Sequence, residues 1–114
     1  MQYLVEANRG PLPASPAEAI QVLEGIVIPH FEHVMKLERD KVILGGGLPV
    51  GDRAFVMIIE AANNDEADRI VRDMPAWPVL EWKVTPLQSV ASRAEMERKV
   101  VETLKPAALI GQQR

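Results

Sequence analysis

The two histidines of the chain, His30 and His33, are the residues best suited to carry protons near neutral pH. They lie in a segment whose apolar residues recur at three- and four-residue steps, which predicts one helix face: Ile20, Leu23, Val27, Phe31 and Val34. On that helix His30 falls on the apolar face and His33 lies toward its flank. We interpret His30 as a candidate general acid or base. The open alternative is a histidine packed at the helix edge, with its nitrogens bonded to backbone or water.

A proline directly before His30 interrupts this helix. Pro29 lacks the amide that would bond to the carbonyl of Gly25, so we expect a kink or a break. Freed carbonyls at a kink open a gap where a ligand can enter. The His30-x-x-His33 spacing approaches that of metal ligands, but no Glu-x-x-His or His-Glu-x-x-His context accompanies it. We therefore predict neither a metal site nor a bound cofactor.

Two glutamates follow apolar runs at the ends of predicted strands. In the predicted topology the strands ending at Glu6 and Glu60 are central, parallel neighbours, which would bring both carboxylates to one end of a cleft. Two close carboxylates, or one in an apolar pocket, have a raised pKa. Glu6 and Glu60 are thus candidate catalytic partners of His30, and the alternative is that each reaches solvent at its strand end.

Aromatic side chains supply the candidate walls of a ligand pocket. Trp77 is held between Pro75 and Pro78, where its ring would face a planar ligand and its indole N–H would orient an oxygen. Packing in the core or at an interface is the alternative for this tryptophan. We also assign candidate ligand contacts to His33, Phe31 and Trp82.

These residues must be positioned by elements in the order β-α-β-β-α-β, followed by a third helix. The strands are predicted at 2–7, 41–44, 54–61 and 79–85, and the helices start from a cap at Ser15, at 64 and from a cap at Ser92. This order is typical of the ferredoxin-like α+β fold, with four antiparallel strands and both crossover helices on one face. We expect one domain over 1–114, with a core at about 1–90 and a C-terminal helix at about 92–105.

The strand predicted at 54–61 has apolar residues at both odd and even positions. Because a strand points alternate side chains to opposite faces, both of its faces would be apolar. The two crossover helices cover one face only. The other face would be covered by the third helix or by a second copy of the chain. We favour the second copy, and we predict a homodimer or a larger homo-oligomer.

Composition excludes several classes of protein. The 114 residues include 13 Lys and Arg against 16 Asp and Glu, so no basic surplus favours nucleic-acid binding. No apolar run approaches the ~20 residues of a membrane span, and the first residues lack the features of a signal peptide. Without cysteine the sequence carries no disulfide and no thiolate nucleophile. Nothing argues for export, and we expect a cytoplasmic protein.

A likeness to a known family covers roughly residues 1 to 90. It rests on Tyr3-Leu4-Val5, the capped first helix, Leu44-Gly45-Gly46-Gly47-Leu48-Pro49, the strand at 55–61, Met74-Pro75-Ala76-Trp77-Pro78 and the segment Glu81 to Leu87. On these segments the chain resembles the muconolactone isomerase-like branch of the dimeric α+β barrel superfamily. The resemblance implies a subunit whose sheet packs against a partner's, with a small-molecule cleft between sheet and helices.

Residues and resemblance together lead to one main hypothesis. The chain would be a cofactor-independent enzyme that shifts a proton, by acid–base catalysis, on a small carbonyl, lactone or polyketide-like compound. Such chemistry needs only a positioned base and donors for the developing enolate. Two alternatives stay open, a ligand-binding module without turnover and a cofactor-free oxygenase of the same superfamily.

Overall fold

A computed structural model describes residues 1–112 of the chain. Its strands are β1 (Gln2–Asn8), β2 (Ile43–Gly47), β3 (Phe55–Glu60) and β4 (Glu81–Leu87). Its helices are α1 (Pro16–Val22), α2 (Ile28–Arg39), α3 (Asn64–Arg72) and α4 (Val90–Gln112). A π-helical segment (Leu23–Val27) joins α1 to α2, and a 3₁₀ turn (Trp77–Val79) precedes β4.

Side-chain caps fix where the helices begin. The Ser15 hydroxyl accepts a hydrogen bond from the Glu18 amide at 3.1 Å, which confirms the predicted start of α1. The Asn63 side chain accepts from the Glu66 amide at 2.9 Å and caps α3. At α4 the cap is Ser89, whose hydroxyl accepts from the Ser92 amide at 3.1 Å. The predicted cap at Ser92 is therefore wrong, and α4 starts at Val90.

The predicted end of α4 at Lys105 is also wrong, because the helix continues through Pro106 to Gln112. The proline removes one amide donor, but Ala107, Ala108 and Leu109 favour helix strongly. The frayed tail predicted from Gly111 is wrong at 111 and 112, which are helical. Its last two positions, 113 and 114, lie outside the described residues.

The sheet has the order β2-β3-β1-β4, and each neighbouring pair is antiparallel. This order, with α2 and α3 on one face, confirms the predicted ferredoxin-like α+β fold. The expectation that the first and third strands run parallel is wrong. The crossover helix makes β2 parallel to β1, and the hairpin then returns β3 antiparallel to both.

One face of the sheet forms the core together with the helices. Alternate residues of β1 and β3 point to this covered face and are buried, among them Tyr3, Val5 and Ile59, each at most 1% exposed. Residues of α2 and α3 complete the cluster on this side: Phe31, Val34, Leu37, Ala67 and Val71. The covered face therefore holds most of the hydrophobic stabilisation of the fold.

The other face carries apolar side chains that no helix covers, and we call it the open face. Leu4 and Ile58 are directly opposite each other there, and Val56 is 38% exposed. The alternative that the third helix lies across this face is wrong, since almost every residue of α4 between 90 and 111 is exposed to solvent. Its 23 residues extend from the sheet, and the Cα radius of gyration is 21.0 Å. A compact chain of this length would have about 13 Å.

The glycine run lies within β2, which the sequence predicted to end at Leu44. A register shift between Ile43 and Gly45 marks a bulge at this edge of the sheet. Gly46 has φ +122°, and a Cβ there would lie 2.1 Å from the carbonyl oxygen of Val56. Only glycine allows the neighbouring strand to approach this closely.

Candidate functional site

A cavity of about 280 Å³ opens between the first helical region and one end of the sheet. Its walls come from the loop after β1, from α1, the π-helical segment and α2, from the loop before β3, and from residues around the 3₁₀ turn. Most of the lining is apolar: Pro11, Pro13, Ala19, Val22, Leu23, Ile26, Val27, Phe31, Leu48, Ala54, Phe55, Ala76, Val79 and Leu80. The other lining residues are His30, Asp52 and Arg53. The volume suits a compact, mainly apolar molecule.

The π-helical segment supplies much of one wall, through Leu23, Ile26 and Val27. Its Ile28 amide donates to the carbonyl of Leu23, five residues back. Pro29 has no amide for Gly25, so the backbone takes a wider turn instead of the predicted kink or break. The prediction of a disturbed helix at this point is confirmed, and the disturbance lies beside the cavity.

His30 is fully buried and has one satisfied nitrogen. Its Nδ1 accepts a hydrogen bond from the Ala76 amide at 3.2 Å and therefore carries no proton. In the neutral ring the proton lies on Nε2, which has no hydrogen-bond partner within residues 1–112. The Phe55 ring packs edge-on at a centroid distance of 4.5 Å and helps to fix the imidazole. The cavity lining thus includes one buried N–H donor that lacks an acceptor.

Burial lowers the pKa of His30 from 6.5 to about 4, with a smaller contribution from His33. At physiological pH the imidazole is therefore neutral. A neutral ring with its proton on Nε2 polarises a ligand oxygen as a hydrogen-bond donor, but it is not charged to act as an acid. A neutral His30 can donate a hydrogen bond from Nε2, which is a different role from the general acid or base that the sequence predicted, and that catalytic role stays a prediction.

Two charged residues at the cavity were not found by sequence reasoning, which interpreted 50–53 only as a turn. Asp52 and Arg53 are exposed residues that line the cavity. The Arg53 amide donates to the Asp52 carboxylate at 2.7 Å. The Gly10 amide donates to the Arg53 carbonyl at 3.1 Å, which ties this loop to the segment after β1. No local sequence signal marks that long-range hydrogen bond.

The two candidate glutamates do not come together. Glu60 is directly opposite Gln2 and Glu6 is opposite Val56, so the carboxylates lie toward opposite ends of the paired strands. Both belong to the open face, away from the cavity. Glu60 accepts a hydrogen bond from the Met1 amine at 2.9 Å. The predicted shared cleft is wrong because β1 and β3 are antiparallel.

Of the four candidate ligand contacts, Phe31 lines the cavity and the other three do not. The Arg72 guanidinium lies 4.9 Å from the centre of the Trp77 ring, and the Trp77 carbonyl accepts from the Trp82 indole at 3.0 Å. Both tryptophans pack against the core. His33 is half-buried. The structure thus favours the packing alternative for Trp77.

Residues 1–112 contain no group of three or more His, Asp or Glu side chains arranged to hold a metal ion. Over the same residues, no helix combines the length and the apolar character needed to cross a membrane.

Comparisons with known proteins bear on the fold. The sequence matches no protein-family model and no curated protein. The structure is similar to the crystal structure of muconolactone isomerase, with a TM-score of 0.64 and 18% identity over 78% of this chain and 90% of that chain. A protein from Agrobacterium tumefaciens matches 79% of this chain and 96% of its own at 18% identity. Its TM-score of 0.37 is too low to support a conclusion about the fold. The chain therefore has a fold similar to that of muconolactone isomerase.

Proposed function

We propose that this chain binds a compact, largely apolar carbonyl compound in the cavity beside His30 and shifts a proton on it without a cofactor. The observation that carries the proposal is the unpartnered Nε2 of the buried His30, a residue that lines a mainly apolar cavity together with the exposed Asp52 and Arg53. Burying a donor without an acceptor costs about 1–3 kcal/mol, and a ligand oxygen bonded to it would recover that free energy. The class of ligand is a neutral ring ketone, lactone or polyketide-like ring.

The proposed reaction is an isomerisation through an enolate. A carboxylate removes a proton next to the carbonyl group, the carbonyl oxygen gains negative charge, and the His30 Nε2–H stabilises that charge. The proton then returns to a different carbon atom, which moves the double bond. Asp52 is the carboxylate among the cavity residues and is our candidate base. Glu6 and Glu60 take no part, because they lie on the open face.

Binding is tested with two ring compounds of similar shape, cyclohexanone and methylenecyclohexane. We expect His30→Gln to weaken binding of the ketone about tenfold or more, because the variant changes the donor at Nε2. The hydrocarbon should bind the variant and the wild type alike. Ala19→Phe should exclude both compounds, since Ala19 lines the cavity. Ala17→Phe, on the same helix but outside the lining, is the control. Equal binding of the ketone to His30→Gln and wild type would contradict the proposal.

Turnover is tested separately by NMR in D₂O, with a β,γ-unsaturated ring ketone and a β,γ-unsaturated lactone as probes. An isomerase should exchange the protons next to the carbonyl group and conjugate the double bond, and Asp52→Asn should slow both processes at least a hundredfold. Binding without exchange in the wild type would leave the second candidate, a binding module without turnover. Its supporting observation is that the one buried polar group of the cavity is a hydrogen-bond donor.

We further propose that two copies of the chain pair through their open faces. Leu4, Val56 and Ile58 offer an apolar centre there. Glu6 is directly opposite Lys83 on the same face, which also carries Glu60 and Glu81, so a two-fold axis can bring Lys83 of each copy near a carboxylate of the other. Leaving such side chains in water forfeits roughly 25 cal/mol for each Å² of apolar area.

A further inference from the structure

We propose that α4 is a second self-association surface, on which the α4 of another copy packs antiparallel. This inference is independent of ligand binding in the cavity, but the mass expected for the wild type also rests on the proposed pairing through the open face. It rests on three observations: the apolar side of α4, the two charged residues within that side, and a groove at the foot of the helix.

The first observation is an apolar stripe along α4. Six apolar residues lie within about one third of the helix circumference at ~100° per residue, and Arg93 and Glu97 lie among them: Val90, Ala94, Val100, Val101, Leu104 and Ala108. Val90 is 86% exposed and Leu104 is 58% exposed. The stripe offers on the order of several hundred Å² per copy, which approaches the ~800 Å² per partner of a specific interface. Nothing else within residues 1–112 packs extensively on it.

The second observation is the pattern of charges. Glu95 pairs with Arg98 at 2.9 Å, and Glu102 pairs with Lys105 at 2.8 Å, so these four charges are satisfied within α4. Arg93 and Glu97 lie within the stripe, and neither forms a salt bridge within residues 1–112. The Arg93 guanidinium donates only to the Gln88 side-chain oxygen. The stripe therefore carries one unpaired base and one unpaired acid.

If two α4 helices are related by a two-fold axis near residue 95, the charges of Arg93 and Glu97 each gain an opposite charge from the other copy. In an antiparallel pair centred there, Arg93 is opposite Glu97 of the other copy, and its own Glu97 is opposite the other Arg93. The same register sets Val90 opposite Val100. A stripe with balanced charge and without aromatic residues fits a second copy of the chain better than an anionic lipid surface.

The third observation is a groove of about 400 Å³ at the foot of α4, lined by Pro86, Leu87, Gln88, Ser89, Val90 and Arg93. In the register centred on residue 95, Val101 and Leu104 extend past the first turn of the other helix to this groove. Stripe and groove together thus form one continuous, self-complementary surface. With the open face as the other interface, two distinct two-fold contacts predict a tetramer where their axes are perpendicular, and that closed arrangement is the one we propose.

The test measures the mass of the full-length protein by sedimentation and light scattering. Wild type should be a tetramer. Arg93→Glu and Glu97→Arg should each halve the mass, because each sets four like charges together, and the double variant R93E/E97R should restore it. Leu104→Asp should halve the mass, whereas Leu109→Asp, on another side of α4, and Lys99→Glu should not change it. In each halved variant we expect the dissociation constant of the α4 contact to rise at least tenfold.

Restoration by R93E/E97R requires that the two residues meet each other across the interface. A double variant that stays halved would overturn the α4–α4 pairing, as would a wild type whose mass none of these substitutions changes. Binding of α4 to anionic vesicles with no change in mass on charge reversal would equally overturn it. Val56→Asp distinguishes the two interfaces. It should leave a dimer joined through α4, and adding Arg93→Glu should then give a monomer.

Discussion

The two faces of the sheet are built from alternate residues of the same strands, yet only one of them is covered. On β3, Ile59 is fully buried on the covered face, while its neighbour Ile58 is partly exposed on the open face. The covered face meets α2 and α3, whereas Val56 on the open face is 38% exposed. A strand that is apolar on both sides thus has one side covered by its own chain, and the proposed second copy would cover the other.

The largest effect should come from truncating the same residue type on the two faces. Ile59→Ala should lower the free energy of unfolding by about 2–5 kcal/mol, because it opens a cavity in the core. Ile58→Ala should cost less than half of that when measured at a protein concentration low enough to separate the copies, since its side chain then keeps part of its contact with water. Urea denaturation at one protein concentration measures both. Equal losses would contradict the difference between the faces.

A second effect comes from the covered face only: the free energy of unfolding should depend on pH through the protonation of His30. Its pKa is about 4 in the folded chain against 6.5 when unfolded, so the unfolded state binds the extra proton on acidification. This contribution to stability is complete at pH values above the pKa of His30 in the unfolded chain. It is lost as the pH falls toward the pKa of His30 in the folded chain. From pH 7 to pH 5 the loss should be about 2 kcal/mol.

His30→Gln should remove this part of the pH dependence, and His33→Gln should keep it. Urea denaturation at the two pH values makes the comparison. A His30→Gln variant whose stability falls as steeply as that of the wild type would show that His30 is not the responsible group.

The smallest of the three effects concerns the open face. Val56→Asp puts a charge at its centre, opposite Glu6, and should weaken pairing through this face at least tenfold, or about 1.4 kcal/mol. Val50→Asp, the same change on a fully exposed loop residue, should leave the mass of the assembly unchanged. Near-UV circular dichroism should stay the same for both variants. An unchanged mass for Val56→Asp would assign the apolar open face to something other than a second copy.

Local signals in the sequence predicted much of the fold. The cap at Ser15, the alternation along β4 and the apolar run of β3 each depend on residues within a few positions, and all three elements formed where expected to within two residues. Pro29 and Gly25 likewise indicated a disturbed helix beside His30. These features depend on hydrogen bonds between near neighbours, which a pattern of residue types reveals.

The site was predicted less well, because its geometry depends on contacts between distant residues. The tautomer of His30 follows from the Ala76 amide, 46 positions away. Asp52 and Arg53 reach the cavity because Gly10 bonds to their loop. The supposed pairing of Glu6 with Glu60 failed on strand direction, which the topology determines. Residue types alone made His30 a candidate, but could not show which of its nitrogens lacks a hydrogen-bond partner within residues 1–112.

The most direct measurement is ¹⁵N-edited NMR of the His30 ring, with and without cyclohexanone. We predict a neutral imidazole at pH 7 with its proton on Nε2, titrating near pH 4, and an Nε2–H resonance that shifts when the ketone binds. A His30 that titrates near 6.5, or an Nε2 resonance that the ketone leaves unchanged, would contradict the assignment of His30 as the hydrogen-bond donor of the cavity.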